Sequence, residues 1–193
     1  EQYDHMILNS TLKAPGIDAG VIKVKNTDKA IAFTSDCNPL FCNINPTEGG
    51  KQAVAEAYRN LISVGAKPLA ITDNLNFGNP EDPKIMGQFV ECVQGISEAC
   101  RTLNFPVVSG NVSFYNQTDG QSILPTPTIG GVGLIDNVKA TKKTSIGKND
   151  LIYLVGCNDT NVTPLSLINE TLEEPITYAN IKVDLTQEIT NGN

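Results

Sequence analysis

A chain of 193 residues, 40% of them hydrophobic, is long enough to bury a sizeable core. Its formal net charge of -7 argues against a nucleic-acid backbone or an anionic membrane as the main partner, because neither attracts a net acidic surface. No apolar run approaches the length of a bilayer span, and residues 1–10 lack the basic-then-apolar order of a secretory signal, so a soluble, cytoplasmic protein is expected.

The first elements are short strands at residues 21–25 and 30–34, joined by the polar turn Asn26-Thr27-Asp28. A stretch rich in turn formers follows, from Asp36-Cys37-Asn38-Pro39 to Glu48-Gly49-Gly50. Helical periodicity begins at Gln52 and runs to Val64, with Gly65 at a C-cap position. Residues 69–72 read as a buried strand and residues 73–83, with two prolines, as a polar loop.

Phe89, Val93, Ile96, Cys100 and Leu103 then recur at helical spacing, and Pro106 ends that helix. Val107 and Val108 enter a strand that meets Gly110, and apolar runs at 129–135 and 151–155 supply further strands. Two strands, a helix, a strand, a helix and more strands predict an α/β fold of the mixed (α+β) kind rather than a doubly wound one. Residues 138–150, rich in Lys and Thr, mark the expected boundary between a domain at 1–148 and an incomplete second unit at 149–193. A start at Glu1 and an end just after an Asn-Gly pair lead us to expect a domain cut from a longer chain.

Several segments carry residues suited to chemistry. On the helix from Gln52, Glu56, Asn60 and Ser63 fall at i, i+4 and i+7 and share one face. A carboxylate and an amide oxygen stacked this way suit Mg²⁺, which is held by one or two carboxylates together with substrate phosphates; the competing reading is a solvated helix face. Gly49, Gly50 and Lys51, expected just before that helix, could cradle a phosphate: glycines permit close approach, helix N-terminal N–H groups favour anions and Lys51 adds a cation. The competing reading is a simple loop, since no GxxxxGK[ST] pattern is present.

Asp73 and Asn76 lie where a buried strand is expected to end, and Gly110, Asn111 and Ser113 at a second strand-to-glycine corner. Both are candidate contacts for a substrate or nucleotide, weighed against Asx-stabilised turns and a tight bend. Five cysteines without a CxxC pattern suggest reduced thiols, and the sole histidine, His5, stands near a chain end. Neither a Ser-His-Asp nor a Cys-His arrangement can then be built around the core, and zinc held by Cys and His is not expected. Oxygen-rich chemistry suited to Mg²⁺ and phosphates remains.

In order and spacing these segments resemble the small form of phosphoribosylformylglycinamidine synthase, the purine-biosynthesis amidotransferase that converts formylglycinamide ribonucleotide to its amidine. The matching stretches include Gln2-Tyr3-Asp4-His5-Met6, Pro15-Gly16-Ile17-Asp18-Ala19, Thr34-Ser35-Asp36-Cys37-Asn38-Pro39, Glu48-Gly49-Gly50-Lys51, residues 53–60 and 69–80, Gly95-Ile96-Ser97-Glu98-Ala99-Cys100 and residues 109–116. The family carries two tandem copies of an A and a B domain, like two fused subunits of aminoimidazole ribonucleotide synthetase. This chain resembles the second A domain, an aminoimidazole ribonucleotide synthetase-like N-terminal domain, with a truncated start of the C-terminal domain.

The resemblance implies an ATP-dependent carbon–nitrogen ligase with ATP and Mg²⁺ as cofactors. It implies pairing through β-structure with the first half of the parent chain, and assembly with a glutaminase subunit and a small accessory subunit. Asp18, Glu56 and Asn60 are implied Mg²⁺ ligands, and Gly49, Gly50 and Lys51 are implied to face a nucleotide site. The family's catalytic histidine belongs to a His-Asn-His-Pro type of motif in the first half, which this sequence lacks, so the chain alone is expected to be inactive and to associate with itself, as a homodimer for instance. Residues 158–166 also lack the Leu-Gly-Gly-Ser type of motif that opens the family's second B domain. Two alternatives stay open: a scaffold of the same fold, or another ATP-using member of the superfamily.

Overall fold

The computed structural model describes residues 6–14, 16–140, 147–151 and 183–186. Its elements in chain order are β1 (Thr11–Lys13), β2 (Gly20–Lys23), β3 (Ala30–Asp36), α1 (Pro39–Ile44), α2 (Pro46–Ser63), β4 (Lys67–Asn76), α3 (Pro83–Thr102), β5 (Val107–Ser113), β6 (Gln117–Thr118), β7 (Gln121–Ser122) and β8 (Thr126–Ile135). Six strands form one sheet in the order β1-β2-β3-β8-β4-β5, and β6 pairs with β7 in a small hairpin. Within the large sheet β4 and β5 run parallel while the other neighbours are antiparallel. The parallel pair is joined through α3, as a crossover connection requires, and the mixed α/β fold read from the sequence is the one observed.

Three helices open with the same local chemistry. Asn38, Asn45 and Asp82 each accept a backbone N–H from the first turn, from Phe41, Glu48 and Lys84 respectively, and each is followed by a proline at the first helical position. Such a cap satisfies an otherwise orphaned donor, and the fixed φ of proline suits that position. These caps correct two expectations. Residues 36–50 are mostly helical, in α1 and the first turn of α2, and α2 begins six residues before Gln52. At its other end Gly65 has φ +85°, Gly65 N–H donates to Ile62 O at 2.8 Å and Ala66 N–H to Leu61 O at 3.0 Å, so the expected glycine stop is a Schellman cap.

Beyond Thr72 the chain continues as strand to Asn76, where a loop is expected from the sequence. Asp73, Asn74 and Asn76 are held between two partners, paired with Gly110, Asn111 and Ser113 on one side and with Ile129, Thr128 and Thr126 on the other. Two flanking ladders outweigh the poor strand propensity of Asp and Asn. Gly110 likewise lies inside β5 rather than at a corner.

The core lies on one side of the sheet. Val21, Ala32, Ile71, Ile129 and Ile135 are buried with Ala53, Val54, Ala57 and Leu61 of α2, while α3 adds Ile85, Ile96 and Ala99. The opposite sheet face is open, and it is apolar along β2, β3 and the last residues of β8. Register places Ile22, Ile31 and Leu134 in one cross-strand row and Phe33 with Val132 in the next, and Ile22 and Phe33 are 45% and 43% exposed. Cys37, Cys42, Cys92 and Cys100 are free thiols, as expected. No helix among the described residues is long and apolar enough to cross a membrane. The strand expected at 151–155 and most of the unit at 149–193 lie outside the described residues.

Candidate functional site

Asp36, the last residue of β3, is the centre of the site. Its Oδ1 accepts the Asn60 side-chain N–H at 2.7 Å, and its Oδ2 accepts the Thr34 hydroxyl. Strand alternation puts Thr34 and Asp36 on the sheet face that α2 covers. Helical spacing brings Glu56 and Asn60 one turn apart above them, and the donated amide hydrogen leaves the Asn60 side-chain oxygen as its acceptor group.

The electrostatics follow from crowding. Burial pushes the Asp36 carboxyl above its ordinary range; hydrogen bonds from Thr34 and Asn60 and the Arg59 charge pull it back, and the negative charge of Asp18 pushes the same way as burial. Glu56 is raised by burial and then by Asp36, with Arg59 opposing. Asp18, on the exposed bend ahead of β2, thus belongs to the same electrostatic neighbourhood. Two half-buried carboxylates, Asp36 and Glu56, and one amide oxygen meet where desolvation and repulsion disfavour negative charge, which a divalent cation would relieve.

Among the described residues no three His, Cys, Asp or Glu side chains are grouped closely enough to enclose a metal by themselves. Two carboxylates and an amide oxygen are a donor set of the kind Mg²⁺ takes together with waters and phosphate oxygens. The sequence reading places Glu56 and Asn60 on one face of a helix, as the structure has them on α2, and does not name Asp36 as a candidate. The signal was present in Thr34-Ser35-Asp36, a polar end to an apolar strand.

Gly49, Gly50 and Lys51 are placed differently from expectation. They lie inside α2 rather than ahead of it, and the glycines serve helix packing. A Cβ on Gly49 would stand 2.5 Å from Cys42 Cα, and one on Gly50 2.4 Å from the Cys92 carbonyl oxygen. Gly95 of α3 completes the crossing, since its Cβ would fall 2.0 Å from the Thr47 carbonyl oxygen. Lys51 Nζ is engaged by Glu48 Oε1 at 3.1 Å and Glu98 Oε2 at 2.9 Å. Burial disfavours its charge, but the hydrogen bonds it donates to Glu98 and Glu48 hold its pKa above the ordinary lysine range.

The other five candidates separate onto two faces. Asp36, Ile129, Asp73 and Gly110 form one continuous cross-strand row, so Asp73 and Gly110 share the helix-covered side with Asp36. A Cβ on Gly110 would lie 1.8 Å from Asp73 Oδ1, and burial raises the Asp73 carboxyl. Asn76, Asn111 and Ser113 alternate to the open side. There Asn111 Nδ2 donates to Asn74 Oδ1 at 3.1 Å, and Ser109 Oγ to Thr72 Oγ1 at 2.8 Å. Asn116 closes the end of that polar ladder by donating to Phe77 O at 3.0 Å and Ser113 O at 2.9 Å.

Comparison with known proteins adds to this geometry. A subunit named phosphoribosylformylglycinamidine synthase subunit PurL from Azorhizobium caulinodans is 61% identical over 160 residues, 82% of this chain and 22% of that protein. The subunit of the same name from Jannaschia sp. is 53% identical over 192 residues, 100% of this chain and 27% of its own. The chain therefore spans about a quarter of the length of the relatives it matches. Among solved structures, PurLQS from Thermotoga maritima aligns with TM-score 0.69 and 33% identity, over 75% of this chain and 24% of that one. T. maritima PurL complexed with ATP gives TM-score 0.64 at 32% identity over 70% and 23% of the two chains. The form complexed with FGAR gives 0.66 at 33% over 74% and 23%. The description "AIR synthase related protein, N-terminal domain" matches residues 16–135, the span that carries every strand of the large sheet but β1 together with Asp36, Glu56 and Asn60, and the chain belongs to that family.

Proposed function

We propose that this chain is the second A domain of a phosphoribosylformylglycinamidine synthase, where it binds Mg²⁺-nucleotide and forms one wall of the active site. The observation that carries the reading is the cluster of Asp36, Glu56 and Asn60, with Asp18 beside it. Asp36, Glu56 and Asn60 would supply oxygen ligands to Mg²⁺, with the exposed Asp18 adding charge beside them and nucleotide phosphates and water completing the shell. The bound ion would neutralise the clustered charge and orient the phosphates.

In the parent enzyme ATP activates the formamide oxygen of formylglycinamide ribonucleotide, and ammonia from glutamine displaces phosphate. This chain's residues would bind and orient in that reaction; the catalytic histidine belongs to the first half, so the chain alone would be an inactive part of a cytoplasmic ATP-dependent ligase. Asp73 and Gly110, in the same row as Asp36, are the nearer candidates for contact with that ligand, and Asn76, Asn111 and Ser113 offer polar groups on the open face. Lys51 and its two glycines would support the site through the packing of α2. The open apolar sheet face fits burial against the first half of the chain, and the glutaminase and small accessory subunits would complete the complex.

Isothermal titration of the chain with Mg-ADP and Mg-ATP tests the reading. The wild type is expected to bind, and Glu56→Ala to weaken binding at least tenfold. Equal affinity in the variant would remove Glu56 from the metal site. A wild type that binds neither nucleotide would favour a scaffold of the same fold.

A further inference from the structure

We propose that Glu48, Lys51 and Glu98 form a docking socket for a downstream segment of the same chain, residues 183–186, whose seating there fixes the first turn of α2 against α3. Glu48 is a buried acid, only 7% exposed, and both its carboxylate oxygens are engaged. Oε1 meets Lys51 Nζ at 3.1 Å, and Oε2 accepts the backbone N–H of Val183 at 2.6 Å, across 135 positions of sequence. Two residues on, Leu185 is 7% exposed and joins the hydrophobic core, with Val183 packed at its margin.

The charge arithmetic favours an N–H donor over an anion. Two carboxylates share one ammonium, so the socket is net negative and repels a phosphate while accepting a backbone donor. Lys51 bonds Glu48 of its own helix and Glu98 of α3, so one cation ties both helices beneath the docked segment. Contact is selective: the N–H of Val183 and the side chain of Leu185 are drawn in, while an open cleft of about 350 Å³ lies along Glu98, Thr102 and residues 183–186. Glu56 lies eight residues beyond Glu48 on the same helix, so docking at one end of α2 steadies the helix that carries the candidate ligands. The socket's contacts hold whether or not Glu56 binds a metal.

Amide hydrogen exchange on the full 193-residue chain tests it. In the wild type the Val183 amide should exchange at least tenfold more slowly than in an unstructured peptide. Leu185→Glu, which places a charge in an apolar seat, should raise exchange at Val183 and at Glu48, Gly49 and Gly50 by at least tenfold, leaving amides in the middle of β8 unchanged. Leu185→Met should behave like wild type. An unprotected Val183 amide in the wild type would overturn the proposal, as would Leu185→Glu freeing Val183 with no change at the start of α2. If Leu185→Glu fails to fold, Glu48→Gln decides: it keeps an acceptor for Val183 but removes the charge facing Lys51, so exchange at the start of α2 should rise, and wild-type rates there would sink the idea.

Discussion

The Asn60 amide donates to the Asp36 carboxylate at 2.7 Å, joining the end of a strand to a helix turn 24 residues later and fixing the direction of both side chains. Asp36→Asn keeps the size of the side chain while removing its charge. It is expected to weaken Mg-ADP binding at least tenfold by titration calorimetry with little loss of thermal stability, because the wild-type carboxylate is desolvated and crowded by like charge. Unchanged affinity would assign Asp36 a purely structural part.

The raised carboxyls of Asp36 and Glu56 set the sign of a pH effect. Acids with folded pKa values above their unfolded ones bind protons more readily in the native state, so their contribution to stability falls as pH rises through that window. Without metal, acidification from neutrality toward the ordinary carboxylate range should therefore favour folding as far as these two groups are concerned. Mg²⁺ competes with the same protons, so its affinity should drop on going from about pH 7 to about pH 5. Calorimetric Mg²⁺ titrations across that range, compared with Glu56→Gln, check both directions.

The crossing of α2 and α3 depends on the absence of side chains. Gly95→Ala would set a methyl 2.0 Å from the Thr47 carbonyl oxygen, a contact with backbone that no rotamer relieves. A loss of about 1–3 kcal/mol is expected from overpacking, read as a lower urea midpoint with an unchanged slope. Gly87→Ala, on the same helix with nothing within 4 Å of its added methyl, should be neutral or slightly stabilising through helix propensity.

Lys51 joins two acids from an interior position, its side chain 12% exposed against 9% for Glu48. Lys51→Met should cost about 3 kcal/mol by stranding the Glu48 charge, seen as a lower unfolding midpoint. Nucleotide affinity should hold at temperatures where the variant stays folded. Lost affinity with intact stability would return Lys51 to the anion-binding role that its place in Glu48-Gly49-Gly50-Lys51 suggested.

On the open sheet face, Ile22 and Phe33 are nearly half exposed. Phe33→Lys should reduce self-association of the isolated chain, measured by light scattering at high concentration, while leaving its melting temperature within a few degrees. A wild type that stays monomeric at the same concentration would show that this face needs no cover.

The sequence by itself determined what is local. The polar Asn26-Thr27-Asp28 turn, the Gly65 stop and the spacing of Glu56 and Asn60 on one helix face were legible because each depends on residues within a few positions of one another. The ordered set of motifs also carried the family resemblance. The Asn-Pro and Asp-Pro helix starts are equally local but ambiguous, since Pro39, Pro46 and Pro83 suit a turn as well as the first position of a helix.

Tertiary structure alone decided the rest. Asp73 to Asn76 became strand because partners on both sides, β5 and β8, complete their hydrogen bonds, and neither partner can be inferred from the segment itself. Gly49 and Gly50, which suggested a loop around an anion, are instead points where α1 and α3 press against α2, a meaning that exists only once the helices are brought together. Asp36 acquired its place in the same way: an acid at a strand end is ordinary in one dimension, and only the fold brings it to Asn60, Glu56 and Asp18, where burial and like charge push its carboxyl up.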